Sequence, residues 1–417
     1  MSLHISREQA ARLLAHYHFT PTDLPGVFEH LGTVQYDPLN PVGRNPDLVL
    51  QARIPGYQAD DWQKAAYNDR LIYDSWDKMA CLVPVSDWPL RALIREKFRP
   101  YHDREILQND PEGVAIILKA LDEQGPLSSL EFEDKTRVGE GSWYGNTRMK
   151  RLLRSMWACG MLVTHHRQGG RHYYDRPERV IPSQHFMIEP LIDEEAYYRW
   201  ILMKRYSAVG ILRPAADVSL WSACDGAAKR KLALDHLVEA GLLTPLRIGD
   251  TTIPYYIPTS ALSLLDKPPG HPRVIFLGPL DSFLWDRKAI MQIFQFDYIW
   301  EVYKPLEQRK WGYYVLPVFY GNRFIARIDS RLEKGVWTIA RWWWEADVTP
   351  DAHMLDALHQ AADDFLRYLR AGDIVIQEEV DGVVRDTLQG KATRFQGGGK
   401  PSPGHLVCPE IPLLRMI

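Results

Sequence analysis

Apolar and polar positions set out a helix at the start of the chain. Ser6-Arg7-Glu8-Gln9 has the capping-box form, Ser followed three residues later by Gln, and Ala10, Leu13, Leu14 and Tyr17 then share one helical face. Pro21 and Pro25 punctuate the connection to a short second helix through Val27, Phe28 and Leu31, which Gly32 ends.

A repeat is the most informative feature of the pattern. Leu152 to Leu162 reads as an amphipathic helix, a glycine C-cap and an emerging strand; Gly169-Gly170 marks a hairpin tip and His172-Tyr173-Tyr174 begins the return strand. The phrase recurs in Leu234, Leu237, Val238, Ala240, Gly241, Leu242 and Leu243, with its tip at Gly249-Asp250 and its return through Tyr255-Tyr256. Glu29 to Gln35 is a fainter third copy. Helix, glycine, strand, tip and strand is the winged-helix plan, in which the helix reads a groove and the hairpin is the wing. After Pro268-Pro269-Gly270 the texture changes. Asp297 to Tyr303, Gly312 to Tyr320, Arg323 to Ser330 and Val336 to Trp344 read as strands, with Gly321-Asn322 a tight turn. They predict an antiparallel sheet or small barrel. A helix with Leu355, Leu358, Phe365, Leu366 and Leu369 on its apolar face follows, ended by Gly372.

A chain of 417 residues exceeds one ordinary core, so two to four domains are expected. Hydrophobic residues at 46% and charged residues at 25% exclude a disordered chain. No apolar run approaches a membrane span, and the first five residues lead into charge rather than a signal core; a cytoplasmic location is expected. Cys81, Cys159, Cys224 and Cys408 form no C-x-x-C pair and read as reduced thiols.

The net charge of −3 does not favour nucleic acid, but a footprint needs only a local basic face. Between Tyr144 and Arg176 lie Arg148, Lys150, Arg151, Arg154, Arg167, Arg171 and Arg176, with Asp175 the only acid. The stripe covers both helix and wing of one unit. Arg148, Lys150 and Arg151 begin the helix, where side-chain charge and helix dipole both favour phosphate. DNA contact is the expectation.

No zinc spacing, nucleotide fingerprint or nucleophile elbow is present. Gly397-Gly398-Gly399-Lys400-Pro401 is no phosphate loop, because Arg394 replaces its first glycine and Pro401 its Ser/Thr. His165, His166 and His172 read as a polar wing rather than metal ligands, and no metal is expected. The segment Leu31 to Asp47 is less generic. If Val34 to Asp37 is extended, Val34 and Tyr36 face the core, and Gln35 and Asp37 share the opposite face about 7 Å apart. An amide and a carboxylate so placed can hold a water between them.

These residues resemble the YcaQ/AlkZ family of interstrand-crosslink-repair DNA glycosylases. The family signature, Gln, an apolar residue, then Asp or Gln, stands here as Gln35-Tyr36-Asp37, and the likeness continues through Asp37-Pro38-Leu39-Asn40 and Val42 to Arg53. Trp76-Asp77-Lys78-Met79, Pro279 to Arg287, Phe296-Asp297-Tyr298 and Gly312 to Pro317 share it. The resemblance implies an α+β chain: three winged helices, at 1–105 with the motif, 106–190 and 191–268, then an antiparallel β-barrel-like domain at 269–417. It implies hydrolysis of the N-glycosidic bond of N7-alkylated purines, crosslinked ones included, in double-stranded DNA. Gln35 and Asp37 carry over as the catalytic pair, and Arg44 and Arg287, in shared segments, join the basic stripe as expected DNA contacts. No cofactor is implied, and a monomer bound to no membrane is expected. The Asp at the third motif position and Asn45-Pro46-Asp47, where other members carry a His-His pair, align the chain with the housekeeping branch. The motif has no lysine to form a Schiff base, so hydrolysis without strand cleavage is expected. A winged-helix transcription regulator is the competing reading. It accounts for the repeat and the stripe but not for the Gln35–Asp37 pair.

Overall fold

The capping box forms as the sequence predicts: Gln9 N–H donates to Ser6 Oγ at 3.0 Å and Ser6 N–H to Gln9 Oε1 at 2.8 Å, satisfying two orphan donors of α1 (Arg7–Phe19). This computed structural model describes residues 2–138, 147–268 and 270–392. The tail glycines and Cys408 lie outside them. Strand β1 (Leu3–Ile5) precedes α1, and α2 (Leu24–Leu31) ends at Gly32, which takes the left-handed conformation at φ 68°. Strand β2 (Val34–Gln35) then enters an antiparallel sheet with β3 (Ile72–Trp76) and β4 (Ala80–Pro84), in the order β2-β4-β3. Helix α3 (Asn45–Gln51) packs beside it.

The repeat is real, and more complete than the sequence showed. In its first copy, helices Pro111–Gln124 and Arg148–Ala158 precede the hairpin β5 (Val163–Gln168) and β6 (Arg171–Asp175). In its second, helices Glu194–Val209 and Ala227–Glu239 precede β7 (Leu243–Ile248) and β8 (Tyr255–Pro258). The second tyrosine of each return strand makes an antiparallel bridge to a leucine between the two helices, Tyr174 to Leu127 and Tyr256 to Leu212. Each copy thereby gains a third extended segment. The second copy also accepts β1, which pairs in parallel with β7.

Beyond it lies a five-stranded sheet in the order β13-β12-β11-β10-β9: β9 (Val274–Phe276), β10 (Val315–Tyr320), β11 (Arg323–Glu333), β12 (Val336–Trp344) and β13 (Asp373–Ile376). Its hydrogen-bonded order is open, and β13 joins β12 in parallel, so the fully antiparallel arrangement expected is corrected. Asp297 to Tyr303 is not a strand. Side chains hold this segment instead of a ladder: Phe296 stacks on Phe324, Arg327 donates to the Asp297 carbonyl, and Glu301 accepts the Trp311 N–H at 2.7 Å. The helix Ala352–Leu369 covers the sheet and ends at Arg370, not Gly372, in a left-handed cap.

The cores interleave along the chain. One cluster joins Val27, Leu31, Val34, Tyr36 and Leu48 to Leu316, Trp337, Leu358 and Phe365; another joins α1 to Ile248, Tyr255, Phe283 and Phe319. The N-terminal segment is thus clamped between the second repeat copy and the C-terminal sheet. Arg53 fixes the join with a bidentate pair to Asp281, both bonds 2.8 Å and both side chains almost fully buried. Removing one partner of such a pair costs about 3–5 kcal/mol, because the other charge is left buried and alone.

Candidate functional site

The motif strand pairs with β4. Gln35 lies opposite Cys81 in the β2–β4 ladder, and Tyr36 N–H extends it to the Ala80 carbonyl at 2.8 Å. Val34 and Tyr36 enter the core as expected. Gln35 is only 7% exposed, so this short strand is covered on both faces.

The cover over Gln35 is Lys78, whose Nζ donates to Gln35 Oε1 at 3.2 Å. Lys78 sits at the β3–β4 turn, closed by Asp77 N–H on the Met79 carbonyl. Asp77 is buried beneath it and pairs with Arg205 at 2.7 Å and Arg91 at 3.9 Å. Burial alone would raise the Asp77 carboxyl, but Arg205 and Arg91 outweigh it and hold it below its ordinary range. Ser222 Oγ reaches both the Asp77 and Lys78 carbonyls, at 3.0 and 2.9 Å. Burial lowers the Lys78 ammonium to about 8; Cys81 opposes this, while Arg205 and Arg287 add to it. The sequence segment Trp76 to Met79 was legible as a shared one, yet nothing in it placed Lys78 beside a glutamine 43 positions away.

Asp37 is half-buried just past the strand. One carboxylate oxygen accepts the Leu39 N–H at 2.9 Å, an Asx-type turn over Pro38. Burial raises the carboxyl to about 6, against this single hydrogen bond. Asp47, buried on α3, is likewise raised by burial to about 6, although Tyr57 Oη and Asp60 N–H both donate to it. Tyr314 has both carboxylates as electrostatic neighbours, and its buried hydroxyl has no hydrogen-bond partner. Spacing gave no hint of Tyr314, because it comes from the far side of the chain.

Between the two motif residues, the Tyr36 ring carries the guanidinium of Arg167 at 3.9 Å. Arg167 is nearly buried and pairs with Asp74 of β3 at 2.7 Å. The first hairpin thus packs against the motif strand, and Arg167 is part of that contact. Arg148 is similarly engaged, with Asp110 at 2.6 Å and Asp134 at 3.0 Å, and Arg176 pairs with Asp122 at 2.6 Å. Their charge is neutralised locally. Arg44 pairs with Asp60 at 2.8 Å, while Arg287 donates to the Pro279 carbonyl and stacks over Tyr298. Arg154 is half-buried. Lys150, Arg151 and Arg171 are exposed, the first two on one helix and the third on its hairpin. Among the described residues no group of three or more His, Cys, Asp or Glu could hold a metal ion, and no helix is long and apolar enough to cross a membrane.

Residues 28–368 match the family described as DNA glycosylase AlkZ-like. Among solved structures, the fold is similar to the DNA glycosylase AlkZ of Streptomyces sahachiroi, with a TM-score of 0.59 at 14% identity, over 91% of this chain and all of that one. At that identity the likeness speaks for the mixed α+β fold; the family match covers most of the chain. The chain belongs to the AlkZ-like DNA glycosylase family.

Proposed function

We propose that this DNA glycosylase hydrolyses the N-glycosidic bond of N7-alkylated purines in duplex DNA, crosslinked purines included, with Asp37 and Gln35 as the reacting pair. The carrying observation is Asp37: burial brings its carboxyl to about 6, close to the working pH of a general base, two residues along the chain from an amide that can orient water. An N7-alkylguanine is already cationic, so it departs as a neutral base without a general acid. What remains is a sugar with oxocarbenium character and a water to aim at C1′. Asp37 stabilises the first electrostatically and takes the proton of the second, while the Gln35 amide orients the water. The water oxygen bonds C1′ as the C1′–N9 electrons leave with the base.

We read the two helix–hairpin units, and the Leu24 to Pro84 region before them, as winged helices that hold the duplex. Lys150, Arg151 and Arg171 then contact phosphate, and the enzyme works as a monomer without metal or organic cofactor. The test is incubation of purified protein with a duplex containing N7-methylguanine in the presence of EDTA. Released base and alkali-labile abasic sites, without prior strand cleavage, are expected. Activity that is lost in EDTA and restored by zinc or magnesium, or no release at all, would refute the proposal.

A further inference from the structure

We infer that Lys78 is a positioning residue of the reaction: it fixes which end of the Gln35 amide faces the substrate. The inference rests on the proposed roles of Gln35 and Asp37. The backbone of Gln35 is fixed from both sides, because Tyr36 N–H next to it donates to the Ala80 carbonyl of β4 and Asn45 Nδ2 donates to its own carbonyl at 2.8 Å. What is left undetermined is a half-turn of the amide, which exchanges an oxygen acceptor for a nitrogen with two N–H donors. An ammonium carries only donors. At 3.2 Å from the amide it accepts no other orientation than oxygen towards itself, leaving Nε2 to face away.

This orientation makes the pair complementary. Asp37 supplies the only acceptor and Gln35 a donor, so a water between them gives its hydrogen to the carboxylate and accepts from Nε2. With the amide reversed, the water could give that hydrogen to Oε1, which cannot take the proton. Lys78 removes this unproductive arrangement. The support under Lys78 fits such a role. Buried Asp77 is tied to Arg205, Ser222 grips both turn carbonyls, and the Trp285 ring flanks the ammonium at 5.2 Å. A turn needed only to join two strands requires none of these ties from another part of the chain.

The test is a set of single-turnover rates and DNA affinities on N7-methylguanine duplex. Lys78→Met keeps the length of the side chain and removes its donors; excision should slow about tenfold to a hundredfold, in line with misplacement of a reacting group, with Kd unchanged. Lys78→Arg, again donor-only, should restore most of the rate. In a Gln35→Ala background Lys78→Met should cost nothing further, since its partner is gone. A Lys78→Met protein at the wild-type rate, an equal loss in the Gln35→Ala background, or a loss confined to Kd would overturn the inference. If Lys78→Met does not melt cooperatively, Lys78→Leu, which likewise has no donor, takes its place, with the same outcomes deciding. Failure of the wild type to release the base would instead refute the proposed function and is read separately.

Discussion

Asn45 staples the motif strand to the C-terminal half of the molecule: its Nδ2 donates to the Gln35 carbonyl at 2.8 Å while its Oδ1 accepts the Leu280 N–H at 3.1 Å. The side chain is fully buried. Asn45→Ala should strand two buried backbone groups and destabilise the fold by about 2–6 kcal/mol, at about 1–3 kcal/mol for each. Gly278→Ala tests the same joint from the other side, because a Cβ there would lie 2.8 Å from Asn45 Oδ1 and 3.0 Å from Leu48 Cβ. Urea titration reads both. Midpoints equal to the wild type would mean that the joint relaxes freely.

The elements that depend on local chemistry were legible in the sequence. The Ser6 capping box, the Gly32 cap and the Gly169-Gly170 tip all rest on interactions within a few residues. Elements stabilised from afar were not. Strand β1 exists because β7 accepts it, β13 because β12 does, and Asp297 to Tyr303 fails as a strand because distant side chains hold it otherwise. The basic stripe shows the same limit. Asp175 is the only acid in that stretch of sequence, but Asp74, Asp110, Asp122 and Asp134 arrive through space and neutralise Arg167, Arg148 and Arg176. The Gln35-Tyr36-Asp37 motif was readable in the sequence; the approach of Lys78 to Gln35 and of Tyr314 to Asp37 required the fold.

Those neutralised arginines separate two kinds of basic residue. Replacing Lys150, Arg151 and Arg171 with Ala should weaken binding to damaged and undamaged duplex alike, since phosphate contacts carry no sequence information. The slope of log K against log salt should fall by about 0.9 for each phosphate no longer neutralised. Arg148→Ala should leave the slope nearly unchanged and lower the melting temperature, because Asp110 and Asp134 lose their shared partner. A slope unaltered in the triple variant would remove this face from the DNA.

The rate should also follow the ionisation of Asp37. Its folded pKa is about 6, so the single-turnover rate on N7-methylguanine should rise with pH to a midpoint near 6 rather than near 4. Stability should move the opposite way. Asp37 and Asp47 both bind protons more tightly folded than unfolded, so their contribution is present below about pH 4 and is lost as pH rises through about 6. Melting curves of Asp47→Asn across that window should show a weaker decline than the wild type. A rate midpoint near 4 would mean that Asp37 is solvated during the reaction.

The last prediction separates catalysis from turn formation at Asp37. The carboxylate does accept the Leu39 N–H, so a purely structural role has a real hydrogen bond behind it. Asp37→Asn preserves that bond, because an Asn side-chain oxygen makes the same turn, and it relieves the burial of a charge. The variant should therefore melt no lower than the wild type at pH 7. If the charge stabilises the cationic sugar and accepts the water's proton, the single-turnover rate should nevertheless fall roughly 10²–10⁴-fold, with the missing electrostatic stabilisation acting in the same direction. DNA affinity should hold or rise, since a carboxylate near phosphates repels them. Gln35→Ala should slow excision less, as solvent partly replaces a group that only orients water. An Asp37→Asn enzyme that melts normally and excises at the wild-type rate would leave Asp37 as a turn residue and place the base elsewhere in the site.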